Sequence, residues 1–459
     1  GATASNVKLL CCQGSTASAA TVTPYTLSAY YATSSTDSPF DDPAAFTFGD
    51  AGDQNVIKCG SYTGNGSDDG PEINLGWEPQ WILFRNIEEN GDEWVLYDAM
   101  RGLVTKDNDA RLYANYNQTE SSIDQVDLTS TGFKITTNHS QVNRTNNQLI
   151  FVAIRRPDGY VGKPVELGTD VFAMDMGVGS SSDPAFLSGF PVDFVIYTEP
   201  AGGSAKSVGT RLLGSKKVVA SSSDDQANDT KAMWDSNGGY GINRNYDFIA
   251  WMWKRHAGFD VVAYEGNSTN RQIRHSMGIA PTMVWLKSRT STEGWVVGSS
   301  GLSSWAEYLT LNNTDAESTN AGIFDSTAPT ATVFSLGSQN RSNENNNNYI
   351  AMLFASVDGI SKVGSYTGTG NSGFTITTGF QPRFLMFKST TRTSTSWVVF
   401  DTTRGLGSGN DPVLKLNSTA AEVTGYDYMS VTSTGVVFGS IAAYDFNSAN
   451  EEYIYYAHA

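Results

Sequence analysis

The chain has 459 residues, 12% aromatic and 17% charged, with 45 Gly and a net charge of −17. That is too long for one ordinary core, too aromatic for disorder and too poor in Glu, Lys and Leu runs for a helix bundle. The acidic balance argues against a nucleic-acid partner, and no run approaches the ~18 apolar residues of a spanning helix, so no membrane insertion is expected.

Residues 1–54 come first. Asn6-Val7-Lys8-Leu9-Leu10-Cys11-Cys12 reads as one strand, followed by a Ser-, Thr-, Ala- and Pro-rich connector with scattered aromatics. The chain opens without Met or a signal peptide, which reads as a processed product or a fragment of something longer. Three cysteines, Cys11, Cys12 and Cys59, make no disulfide framework and fit folding in a reducing cytoplasm.

From residue 55 onward the chain repeats itself. A turn recurs as Gly76-Trp77-Glu78-Pro79, Gly189-Phe190-Pro191, Gly278-Ile279-Ala280-Pro281 and Gly379-Phe380-Gln381-Pro382. Each is followed by an apolar run, at residues 81–84, 194–197, 283–286 and 384–387, and later by a closing strand ending each copy. The landmarks keep their order at a period of about 100 residues, which marks tandem domains. The modules span residues 55–158, 159–258, 259–359 and 360–459; the first and fourth are most alike and the second has drifted furthest. Short β-rich runs separated by Gly, Asn, Asp and Ser turns predict an all-β chain, a tandem array of four antiparallel β-sandwich modules. Each is expected to fold as its own domain.

The apolar runs carry a further expectation. Neighbours on a strand point to opposite faces, yet in Phe384-Leu385-Met386-Phe387 and Trp81-Ile82-Leu83-Phe84 both faces are apolar. The second face needs a cover: a long loop, the next module or another protomer. A homo-oligomer is expected on that ground.

Residues that carry chemistry are sparse. His139, His256, His275 and His458 are scattered, and Asp107-Asn108-Asp109 and Ser67-Asp68-Asp69 read as turns rather than calcium loops. No Gly-x-Ser-x-Gly elbow occurs and no cysteine sits near a histidine in a nucleophile's pattern. No catalytic residue, metal or cofactor is therefore assigned. Asp98 and Arg101 recur as Asp401 and Arg404, but the third copy reads Gly298-Ser299-Ser300-Gly301 at that place. The pair is read as a structural turn, exposed and worth about 1 kcal/mol or less. The polar loops at residues 138–147, 236–246, 340–348 and 444–450 combine Asn, Ser and Gly with aromatics. In them Trp234, Tyr240, Tyr246, Tyr444 and Phe446 are candidate binding residues whose rings can stack on sugars. Any exposed hairpin needs similar turn residues, so the composition has a structural explanation too.

The pattern Gly-Ser-Tyr-Thr-Gly, Gly-aromatic-x-Pro, apolar run, Trp-x-x-x-Asp-x-x-Arg-Gly and Tyr-Ile-Tyr-x-Ala resembles a β-rich module near the C-termini of tail-fibre and related virion proteins of marine bacteriophages. Residues 6–13 resemble the exit strand of the laminin-G-like domain that often precedes it. The resemblance implies a non-enzymatic virion protein, most simply a tail fibre or appendage contacting a host-surface glycan or outer membrane. It favours a trimer and other virion proteins as partners. A capsid decoration or tail-wall protein, and a tailspike-like glycan depolymerase, are the alternatives.

Overall fold

The four repeat glycines explain why the repeat is visible at all. Each takes a positive φ, from 74° at Gly278 to 91° at Gly379, a backbone region that costs glycine little and other residues much. A strand leaves each turn. In the computed structural model, which describes residues 56–177, 183–244, 247–439 and 446–459, those strands become the middle of four sheets. Two compact units divide the chain, Gly1–Thr47 and Phe48–Ala459, and all described residues belong to the second. The strand expected at residues 6–13 and its connector lie outside the described residues.

Every module builds its main sheet in one order: opening strand, closing strand, run strand, then a fourth strand that is the Trp-Val strand in modules one, three and four and Ser207–Thr210 in module two. In module one these are Ile57–Thr63, Gln148–Arg155, Pro79–Asn86 and Val95–Asp98; in module four they are Ser361–Thr367, Glu452–His458, Phe384–Ser389 and Val398–Asp401. Modules two and three centre likewise on Ile249–Trp253 and Asn348–Phe354. All pairings are antiparallel. A smaller sheet covers one face of each, such as Glu72–Asn74 with Gly132–Ile135, and Thr375–Thr377 with Gly435–Phe438. The chain is thus all-β, built as antiparallel sandwiches.

The second face of the apolar runs is where the modules cease to be independent. Phe384–Ser389, Met283–Ser288 and Phe194–Thr198 are buried at every residue, on both faces. One face packs inside its own sandwich; the other joins a single core shared between modules, containing Trp251, Trp285, Met352, Phe384 and Tyr456. Neighbouring modules supply the cover, so in these three modules no further chain is needed.

The contacts that form this shared core repeat in a cycle. The Trp397 indole of module four donates to the Thr310 carbonyl of module three at 3.0 Å, and Trp295 of module three donates to Val219 of module two at 2.8 Å. Lys206 holds the same place in module two and donates to the Ala420 carbonyl of module four at 3.0 Å. Aromatic contacts link the same three modules in the opposite sense. Phe384 of module four meets Phe172 of module two at 5.4 Å, and Phe194 of module two meets Phe259 of module three at 5.3 Å. Like contacts that close on themselves are the pattern of a threefold ring. Here one chain makes the ring from three of its own repeats.

Module one stands outside it. It docks through turns: the Thr105 amide donates to Leu212 O at 3.0 Å, and Arg289 donates to Thr105 O at 2.7 Å. Its run strand Pro79–Asn86 alternates between buried and half-buried residues. Trp81, Leu83, Ile150, Val152 and Ile154 are only half-buried, and Ile57 is 59% exposed.

Candidate functional site

The Asp–Arg pairs sit where the Trp-Val strand ends and the chain turns. Asp401 Oδ1 accepts from the Arg404 amide at 2.9 Å while its Oδ2 meets Arg404 Nε at 2.6 Å. Arg404 then reaches Val399 O, Pro412 O and Glu422. Asp98 and Arg101 repeat this geometry, with Leu96 O, Ala110 O and Glu120 in the same roles. The surroundings differ. In module four the Trp251 indole of module two donates to Asp401 at 3.0 Å and lies under the Arg404 guanidinium at 5.5 Å. That pair is buried in a seam, which corrects the expectation of an exposed turn; only Asp98–Arg101 is partly exposed.

The aromatic loop residues turn inward. Trp234 packs on Tyr240 at 4.6 Å and donates its indole N–H to Gly214 O at 2.8 Å; Tyr240 is buried and shares Asp229 with Tyr197. Phe446 lies in the core of module four, stacked on Phe387 at 5.8 Å. Tyr246 and Tyr444 lie outside the described residues. Large rings on a short loop bury more apolar area against their own sandwich than they would by standing in water, so the sugar-stacking role assigned to Trp234, Tyr240 and Phe446 is corrected to a packing role.

The asparagines of these loops are also structural. Buried Asn143 donates to Ser67 O at 2.7 Å and Thr137 O at 2.8 Å and accepts from the Asn65 amide. Asn343 repeats this with Thr269 O, Gly337 O and the Asn267 amide, and Asn447 with Asn371 O and the Thr369 amide. One amide thus braces the loop after the opening strand in three modules. The recurrence of Asn143, Asn343 and Asn447 ahead of each closing strand was the signal that composition alone hid.

The acidic triplets are occupied as well. Asp109 accepts from the Val104, Gln125 and Val126 amides, and Asp69 pairs with Lys134 at 2.6 Å. Burial pushes the Asp109 carboxyl well above the usual range. Among the described residues, no group of three His, Cys, Asp or Glu converges as metal ligands would.

The densest set of buried charge lies where modules one, two and three meet. Arg255 grips Glu78 with two bonds of 2.5 and 2.9 Å, and Arg156 reaches Asp260 at 2.7 Å. Burial alone would raise the Asp260 carboxyl, but Arg156 and Arg255 hold it below its ordinary value. Nearby, burial pushes His256 down to about 3, so it stays neutral. These groups are consumed in holding modules together.

What stays open is a cleft of 390 Å³ between modules one and two, bordered by Arg101, Asp107, Asn108, Arg211, Trp234 and Asp235. The structure brings two sequence-assigned residues, Arg101 and Trp234, to one place from different modules. Its walls offer guanidinium, carboxylate and amide groups beside an indole edge, a set suited to a polar, hydroxyl-rich ligand. A second cleft, of 400 Å³, between modules one and three is walled by Lys106, Asp127, Lys134, Glu265 and Arg271. There Lys106 is paired with Asp127 at 3.3 Å and Glu265 at 3.4 Å. In the first cleft the Ser215 hydroxyl donates to the Asp107 carboxylate at 3.3 Å.

A family model described as Domain of unknown function (DUF7483) matches residues 5–156 and 226–459. The unmatched residues fall mostly in module two, the most divergent copy. No curated protein matches the chain. Among the described residues no helix is long and apolar enough to cross a membrane.

Proposed function

The chain therefore belongs to the DUF7483 family of unknown function, and from that premise we propose that it is a non-enzymatic phage virion protein, a tail fibre or appendage that contacts the host surface. The observation that carries the reading is where the polar chemistry goes. Buried arginines, carboxylates, histidines and indoles are spent on seams between modules, as in Arg255–Glu78 and Trp251–Asp401. That suits a body built to hold its shape outside a cell. The resemblance of the repeat's motifs to phage tail-fibre modules supports the same reading.

In this reading the ligand is a host-surface glycan, held in the cleft of Arg101, Asn108 and Asp235, with Trp234 as part of its wall. Its other partners are further copies of itself and other virion proteins. Binding of purified protein to host-surface glycans tests it. Retention on a glycan array without release of oligosaccharide is expected, and Asp235→Ala, at an exposed position, should lower it. Release of oligosaccharide would overturn the non-enzymatic reading. Antibody labelling that finds the chain absent from particles would overturn the virion assignment.

A further inference from the structure

We propose that module one uses its open sheet face to form a homotrimer, joining two further copies of module one as modules two, three and four join each other within one chain. This rests on the internal ring and is independent of what the protein binds.

The equivalence runs residue by residue. Run and closing strands pair as Trp81 with Ile154 and Leu83 with Val152 in module one, and as Phe384 with His458 and Met386 with Tyr456 in module four. The opening strand adds Cys59 opposite Val152, and Val363 opposite Tyr456. Phe384, Met386, Tyr456 and Val363 are buried in the shared core. Their counterparts Trp81, Leu83 and Val152 are half-buried, and Cys59 is exposed. Residues that serve three modules as an interface are thus left open on the fourth.

The fixtures of the ring are present too. Trp94 occupies the place of Trp295 and Trp397, the indoles that donate across the internal seams. Among the described residues its own indole N–H has no partner. Alignment of the Trp-Val strands puts Tyr113 where Val219 and Thr310 accept those bonds, so a neighbouring copy's Tyr113 carbonyl is the expected acceptor. The Asp98–Arg101 pair repeats the geometry of Asp401–Arg404, whose far side is closed by Trp251 of another module. On module one that far side is where Val152 of a neighbouring copy would lie. A face that closes in threes when its modules differ should also close in threes between identical copies, because the contact is head-to-tail and the rotation already closes.

Light scattering on the full chain, together with alkylation of Cys59 followed by peptide mass mapping, tests this. The expected mass is three times the 49.5 kDa of one chain, with Cys59 protected. Ile57→Lys and Leu83→Asp should each yield a monomer with an unchanged β spectrum and a Cys59 that reacts several-fold faster. Should Leu83→Asp fail to fold, Ile57→Lys at its exposed position and the wild-type mass still decide. Monomeric wild-type protein, any stoichiometry other than three, or a trimer that survives Ile57→Lys would overturn the proposal. A monomer with protected Cys59 would also overturn it, assigning the face to the chain's own first 55 residues.

Discussion

Modules one and four share a strand order, a turn and an Asp–Arg pair with the same partners, yet one face of module four is core and the same face of module one is surface. Phe384–Ser389 is buried at every residue; Pro79–Asn86 alternates between buried and half-buried residues. The local sequence sets the strand and the chemistry of its face. Only the neighbour decides whether that face is an interior.

The largest difference should come from placing a charge on that face. Met386→Asp puts an unpaired carboxylate into the shared core and should cost more than about 4 kcal/mol or prevent folding, while Leu83→Asp should cost about 1 kcal/mol within the chain. Urea denaturation of the two variants, followed by far-UV circular dichroism, measures both. Equal losses would mean that module one's face is as enclosed as module four's.

Next come the paired turns. Asp401→Ala strands the buried Arg404 guanidinium and the Trp251 N–H, and should cost about 3–5 kcal/mol; Asp98→Ala should cost about 1 kcal/mol or less. Denaturation midpoints of the two variants read the ratio directly. A smaller gap is expected for the indoles. Trp397→Phe leaves the Thr310 carbonyl unpaired at a loss of about 1–3 kcal/mol, whereas Trp94→Phe should leave the isolated chain's thermal midpoint unchanged.

The smallest effect is one of pH. His458 lies in the seam between modules four and two, stacked on Phe172 at 4.5 Å, where module one has Ile154. Burial holds His458 well below its ordinary value. Its unfolded form gains a proton below about pH 6.5 and its folded form does not, so stability is intact above that pH and falls as pH drops, by up to about 1.4 kcal/mol per unit. The denaturation midpoint should therefore fall less between pH 7.5 and 5.5 in His458→Phe than in the wild type. Parallel curves would show that His458 titrates normally in the folded chain.

Much of the fold was legible because its causes are local. Gly76 and Gly379 mark turns that need a positive φ, and the closing strands are apolar runs recurring about every 100 residues. The need for a cover over Phe384 to Phe387 was legible as well. The identity of the cover was not, because Trp251 reaches Asp401 across 150 residues and no local pattern carries that pairing. The candidate site misled for a different reason. An Asn- and aromatic-rich loop has the same composition whether its rings face water or, like Phe446, the core, and whether its amides meet a ligand or, like Asn143, the next loop.

The closed ring also sets an order in time. Arg383 of module four donates to Phe172 O across 211 residues, and Trp253 donates to Tyr456 across 203. During synthesis, modules two and three emerge with dry faces that their last neighbour has yet to cover. Until module four arrives, the nascent chain is a partly assembled oligomer tethered to its own ribosome, open to mispairing with identical chains nearby. A premature stop within module four would therefore poison the modules already made, and the shortened product should go to aggregates or proteases rather than persist as three sound domains.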